Sequence, residues 1–307
     1  AEWVKYANIK KKYNVRYWMI GNESWNKNNE NSTVEIYAQD IIDFSKAMKA
    51  VDPSILVIPN GDSDEFFKTV INKAGNYIDR LCVSNYGVFD FNAGYESYRD
   101  TTRCLIWPAQ TALNAMNKYA TQEQLDKWKL IVAEYGTIDW AGLWHGTNDM
   151  GHAIVNFDMT GQLLLEPQIE FSCFWNTRWL NNEEYPQTDH DAVDSNGNIN
   201  PTGYSLLIWN KFMGDKMIKS ESMGAIISYA SYSPHENRLF VYFINKGERE
   251  ENVNLIIPNK AAAKIVQCWE YFGKDDKDVA PIWQQKRVEG LEFDLKKYSI
   301  TVAEYLL

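Results

Sequence analysis

The chain has 307 residues, 45% hydrophobic and 14% aromatic, and its 31 Lys+Arg against 41 Asp+Glu give a net charge of -10. That is enough apolar material for one large domain, or a large and a small one. An acidic chain with no cluster of Lys and Arg interleaved with aromatics argues against nucleic acid as a partner, and without a run of about 18 apolar residues no segment reads as a membrane span.

The opening "AEWVKYANIKKKYN" suits a helix through Trp3, Val4, Ala7 and Ile9. Five short apolar runs then read as buried parallel strands because they are continuous rather than alternating. They are "VRYWMIG" (15–21), "ILVIPNG" (55–61), "RLCVSNYG" (80–87), "KLIVAEYG" (129–136) and "EFSCFWNTRW" (170–179). Helical patterns lie between them. Over 34–51, Ile36, Ala38, Ile41, Ile42, Phe44, Ala47 and Met48 define one apolar face, and Asp52-Pro53 stops it. Further helices are expected over 64–75, 108–118, 121–128, 151–164 and 201–214, the last with Pro201 at its start and Gly214 at its end.

The alternation is that of a barrel or a doubly wound sheet. After 215 the texture changes to short, β-branched or aromatic runs separated by turn residues, which reads as an antiparallel sandwich of six or seven strands. The expected division is therefore 1–214 for the α/β domain and 215–307 for the β-sandwich. Cys82, Cys104, Cys173 and Cys268 lack paired spacing and are read as buried thiols. The long polar loop over 181–201 is read as a rim or a lid.

Three of the five strands end in groups that a buried strand does not need: Asn22 and Glu23, Asn85 and Tyr86, Glu134 and Tyr135. In a parallel β/α barrel the carboxyl ends of all strands open onto one face, so these side chains converge. Two glutamates on one face suit glycosidic bond cleavage with retention. One carboxyl group protonates the leaving oxygen, and the other attacks the anomeric carbon from about 5 to 5.5 Å away.

"YWMIGNESW" and "LIVAEYG" resemble the two signatures of clan A retaining glycoside hydrolases, in which Asn-Glu ends the fourth barrel strand and a second glutamate ends the seventh. "AEWVKYAN", "YWMIGNE" and the closing "YSITVAEYL" are similar to the α-L-arabinofuranosidase group (family 51-like), which pairs its barrel with a β-sandwich. The resemblance implies a partial (β/α)8 TIM barrel, strands four to eight, followed by the sandwich. It also implies an O-glycoside hydrolase with Glu23 as general acid/base and Glu134 as nucleophile. Asn22 is then expected on the sugar 2-hydroxyl, Tyr86 is expected to orient Glu134, and Asn85 joins the substrate-binding set. Trp25, Trp140, Trp144, Trp175 and Trp179 lie in or near the segments after these strands, where aromatic faces stack on sugars.

Strands one to three have no counterpart in the sequence, so completion of the barrel by an N-terminal piece or by a second copy is expected. The sixth strand ends in "SNYG", where the arabinofuranosidase group often carries a histidine before the tyrosine, which leaves the sugar open. Endoglucanase, xylosidase and agarase activities use the same pair of glutamates, and a non-catalytic carbohydrate-binding half-barrel is the reading from another class. The substrate expected is a plant or algal polysaccharide or its oligosaccharides, with no cofactor and no metal. His145 and His152 flank a polar loop but show no third ligand at defined spacing. "DHDAVDSNGN" (189–198) has a cation-loop composition without the spacing of one.

Overall fold

The computed structural model describes residues 1–26, 33–89, 91–178, 191–258 and 263–307. In chain order the elements are α1 (Glu2–Val4), continued by a π-helical turn over Lys5–Lys10, then β1 (Tyr17–Ile20), α2 (Val34–Lys49), β2 (Leu56–Pro59), α3 (Asp64–Ala74) and β3 (Leu81–Asn85). There follow α4 (Tyr95–Arg99), α5 (Trp107–Tyr119), α6 (Gln122–Leu125), β4 (Leu130–Tyr135), α7 (Met150–Leu164), β5 (Ile169–Phe174) and α8 (Pro201–Phe212). The remainder is β: β6 (Lys216–Ile218), β7 (Ile226–Ser233), β8 (Arg238–Asn245), β9 (Glu251–Asn254), β10 (Lys264–Phe272), β11 (Ile282–Gln285), β12 (Glu292–Leu295) and β13 (Ser299–Leu306). The chain divides into two compact units, one of Ala1–Asn85, Ile106–Tyr135 and Glu166–Phe174, the other of Tyr86–Leu105, Gly136–Leu165 and Trp175–Leu307.

The first unit holds the five apolar strands, all parallel and in chain order. β1 pairs with β2, β3 with β4 and β4 with β5, and a parallel bridge between Asn60 and Cys82 joins β2 to β3. The sheet is strongly curved. Tyr17 of β1 meets Phe171 of β5 edge to face, with ring centroids 5.1 Å apart, and its hydroxyl donates to Glu170 at 2.7 Å. Inside the curve, Ile58, Cys82 and Ile131 form an apolar cluster flanked by Tyr17 and Ala133.

Helix α2 starts where Thr33 accepts a hydrogen bond from the Ile36 N–H, with Glu35 in the first turn and Lys46 and Lys49 in the last, as the helix dipole favours. Its buried stripe is Tyr37, Ala38, Ile41, Ser45 and Met48, whereas Ile36 and Phe44 are exposed. This corrects the apolar face drawn from the sequence. Polarity misled it because Ser45 is buried by donating to the Tyr77 carbonyl at 2.7 Å, and Tyr37 by donating to the Ile20 carbonyl at 2.6 Å. Helix α6 is one turn, held by a reciprocal capping box between Thr121 and Gln124.

In the second unit a six-stranded antiparallel sheet runs β11-β10-β13-β8-β7-β6, and β12 pairs with β9 in a separate two-stranded sheet. Both contribute to one core: Phe243 of β8 packs on Phe293 of β12 at 4.9 Å, among Val241, Leu295, Ala303 and Tyr305. Eight described strands thus follow residue 215, where six or seven were expected. A second aromatic cluster joins α7, α8 and the large sheet through Phe157, Trp209, Tyr229 and Tyr242. Of the cysteines, Cys82 and Cys268 are buried as expected, but Cys104 and Cys173 are exposed. Cys104 lies in an irregular segment just before a turn, and Cys173 lies on β5, whose side chains are largely uncovered.

Candidate active site

Glu134 reaches its position through an irregularity that the sequence does not announce. Against β3, Val132 pairs with Val83 but Glu134 pairs with Ser84, so Ala133 is an extra residue. Against β5 the same extra residue falls between Val132 and Tyr135. A bulge reverses the alternation of a strand. Without it Glu134 would share a face with Leu130 and Val132. With it Glu134 falls on the face of Ser84, Cys82 and Ile131, the inner face of the curved sheet.

Glu23 is delivered by a turn. After β1, Gly21 adopts φ +71°, and Glu23 itself adopts φ +46°, a left-handed conformation that costs a residue with a Cβ about 1 kcal/mol or more. Asn60, buried at the end of β2, fixes this turn. Its side-chain oxygen accepts from Ser24 N at 2.7 Å, its amide donates to the Ile20 carbonyl at 2.9 Å, and its own N–H donates to the Tyr37 hydroxyl at 3.0 Å. Sequence reading missed Asn60, although the signal was there: an amide directly after a buried strand, as at Asn22 and Asn85.

The two glutamates act on one buried thiol. Cys82 is 2% exposed, with its sulfur 3.2 Å from that of Met19, and its pKa is pushed up to about 12. Burial is the main cause; the negative charge of Glu134, then Cys173 and Glu23, add to it. Glu23 and Glu134 are both half-buried. Asn22 is exposed on the turn and Trp25 is half-buried just beyond it.

Asn85 is fully buried and its side-chain oxygen accepts from Ala109 N at 3.3 Å, satisfying a free donor at the start of α5.

In the second unit Trp140 is 57% exposed and makes a T-shaped contact with Tyr86 at 5.7 Å. Trp144 is 5% exposed, stacked on His152 at 3.7 Å and packed on Phe91 at 5.5 Å. One face of its ring is covered by His152 and the ring is out of solvent. Trp175 is half-buried and joined to Asn176 by a cis peptide bond. Trp179 and residues 181–190 of the expected rim lie outside the described residues. Farther along, Asp194 is engaged by N–H donors from Asn196 and Asn198 at 2.8 Å and by the Asn198 amide at 2.9 Å, which makes this stretch a hydrogen-bonded turn.

The loop before α7 holds a group that sequence reading missed. Asp149 lies between His145 and His152, and one ligand-type atom of each falls within 4.8 Å of the other two. A third side chain with a ligand-type atom thus stands beside the two histidines. Its spacing, four residues after one histidine and three before the other, was the available signal.

No family model matches the chain. Over 60 residues it is 45% identical to α-L-arabinofuranosidase C of Emericella nidulans, a match that takes in 17% of this chain and only 12% of that relative's length. Similar solved structures include α-L-arabinofuranosidases, several of family 51. The α-L-arabinofuranosidase of Thermotoga maritima, in its arabinose complex, superposes with a TM-score of 0.78 at 19% identity, covering 99% of this chain and 72% of that one. A family 44 endoglucanase from Clostridium acetobutylium gives a TM-score of 0.67 at 13% identity, over 99% of this chain and 70% of that one. The chain shares its fold with the family 51 α-L-arabinofuranosidases and, at a lower score, with family 44 glycoside hydrolases.

Proposed function

We propose that this chain is a retaining O-glycoside hydrolase, with α-L-arabinofuranosidase as the first choice of activity. Glu134 attacks the anomeric carbon while Glu23 gives its proton to the departing oxygen, which leaves a glycosyl ester on Glu134 and a carboxylate on Glu23. That carboxylate then takes a proton from water, the water oxygen attacks the anomeric carbon, and the ester bond to Glu134 breaks. Asn22 is assigned to the sugar 2-hydroxyl. The assignment of Tyr86 to the orientation of Glu134, and of Trp25, Trp140 and Trp175 to sugar stacking, rests on the resemblance. The observation that carries the reading is that each glutamate closes a parallel strand through a local irregularity, Glu134 by a bulge that turns it to the inner face and Glu23 by a left-handed residue. Two local irregularities serving two carboxylates are hard to explain by packing.

The likeness to a family 44 endoglucanase favours a second reading, endo-action on a β-glucan by the same pair. A panel of aryl glycosides separates them. Release from the α-L-arabinofuranoside, above the β-xyloside and β-glucoside, supports the first; silence on all aryl glycosides with cleavage of soluble β-glucan supports the second.

The division at residue 214 into a partial barrel and a β-sandwich belongs to the same proposal. Met19 and Phe171, on the inner face of the first unit, are 40% and 37% exposed, more than a barrel interior leaves open. We assign their cover to a further segment, an N-terminal piece or a second copy. Native mass spectrometry is expected to give a species heavier than 35.6 kDa, and a monodisperse 35.6 kDa monomer refutes the assignment.

Glu23 also carries a stability expectation. At φ +46° glycine is the favoured residue, so Glu23→Gly should be more stable to urea than Glu23→Ala by about 1 kcal/mol, reversing the usual order. An Ala variant equal to or more stable than the Gly variant would place Glu23 in an ordinary conformation.

A further inference from the structure

The cluster at the start of α7 is independent of the glycosidase reading. Asp149 is 1% exposed and caps the helix, and its two oxygens are used unequally. Oδ1 accepts from His152 N at 3.1 Å and lies 2.8 Å from His152 Nδ1. Oδ2 is buried and makes no hydrogen bond. The atom facing it is His145 Nε2 at 3.4 Å. Among the described residues, the two histidines are the only basic side chains within ion-pair distance of this carboxylate. A buried carboxylate oxygen without a donor is costly.

The distance suggests what completes it. Two ligands bound at about 2.0 to 2.1 Å to one tetrahedral ion stand about 3.3 to 3.4 Å apart, whereas an N–H···O hydrogen bond closes to about 2.9 Å. Charge nearby is mixed. Asp276 lies close enough to Asp149 and His145 to act on both, while Lys277 opposes a cation at His145. Ligation through His145 Nε2 moves that ring's proton to Nδ1 and releases a 3.3 Å contact from Thr147 N–H, which is exposed and free to turn to water.

We propose that His145, Asp149 and His152 bind one divalent transition-metal ion of the zinc class. Two imidazoles and a carboxylate are a zinc-type donor set, which leaves a fourth position for water. The ion would join the loop over Gly136–Asp149 to the first turn of α7. Trp144, stacked on His152, would be fixed with it. The loop already has one internal tie, since the Asp139 carboxylate accepts from the N–H groups of Ala141, Leu143 and Trp144. The ion supplies a second tie at the loop's other end.

The test uses the full chain, stripped with a chelator and dialysed, then titrated with Zn²⁺ alone by calorimetry and with Co²⁺ followed by visible absorption. One ion per chain and the intense visible bands of tetrahedral cobalt are expected. His145→Ala, at a partly exposed ring, should fold and lower affinity about tenfold or more. Asp149→Asn should do the same, and if loss of the cap prevents its folding, the His145 variant decides. His235→Ala should leave binding unchanged. Absence of binding at micromolar Zn²⁺, or binding of unchanged affinity in His145→Ala, overturns the proposal.

Discussion

Glu134→Ala is expected to lose about 10⁴- to 10⁶-fold in kcat on any substrate the protein turns over, because in the proposed mechanism it removes the group that forms the covalent intermediate. Glu23→Ala should behave differently. Its loss should reach about 10²- to 10⁴-fold for poor leaving groups, which need a proton, and be small in the first step for nitrophenolate-class leaving groups, which do not. With such substrates the glycosyl ester on Glu134 accumulates in Glu23→Ala, because no base activates water. Azide, which needs no base, should then attack the ester and restore turnover, giving a glycosyl azide of retained configuration. Full activity in both variants would remove the two glutamates from the mechanism. Rescue of Glu134→Ala to the same retained product would exchange their roles.

The largest effect on stability is expected at Asp158, a carboxyl on α7 that is 2% exposed. It accepts from the Tyr98 hydroxyl at 2.9 Å, the Gln162 amide at 3.3 Å and, in a very short contact, the Tyr229 hydroxyl. These bonds link α4, α7 and β7 of the second unit. Asp158→Ala removes the carboxylate that accepts from the Tyr98 hydroxyl, leaves the Tyr229 hydroxyl only the Asp158 backbone carbonyl at 3.2 Å, and opens a cavity, so a loss of about 3 to 5 kcal/mol is expected in urea unfolding. Burial raises the Asp158 pKa, with the Tyr229, Tyr98 and Gln162 hydrogen bonds opposing. The native state thus holds this proton to a higher pH than the unfolded chain does. The stability contributed by this group is full below the ordinary aspartate range and falls as pH rises toward the native value. The cost of Asp158→Ala should therefore be greater at pH 4 than at pH 7. A loss below 1 kcal/mol at both would mean that the network is not sustained in solution.

Much of the first unit was legible because continuous apolar runs such as "LIVAEYG" admit few structures other than buried strands. The glutamates at their ends stood out for the same reason. What was not legible depends on neighbours. The bulge at Ala133 exists only relative to β3 and β5, yet it decides which way Glu134 faces. The left-handed turn at Glu23 is held by Asn60, which arrives from another strand. Trp140 and Trp144 are four residues apart in one loop, and only packing on His152 and Phe91 separates a buried ring from an open one. Asp149 was visible in sequence, but a spacing of four and three around an aspartate becomes a metal-type cluster only once a helix cap turns the carboxylate between the two imidazoles.

The most direct measurement is the intact mass of the protein after reaction with an activated 2-fluoro-arabinofuranoside, whose fluorine slows both steps while the good leaving group lets the first proceed. An increase of one fluoropentosyl unit is expected, mapped by proteolysis to the peptide containing Leu130–Tyr135 and absent from Glu134→Ala. Turnover of arabinofuranosides without any adduct, or an adduct on a residue other than Glu134, would contradict the double displacement and its nucleophile.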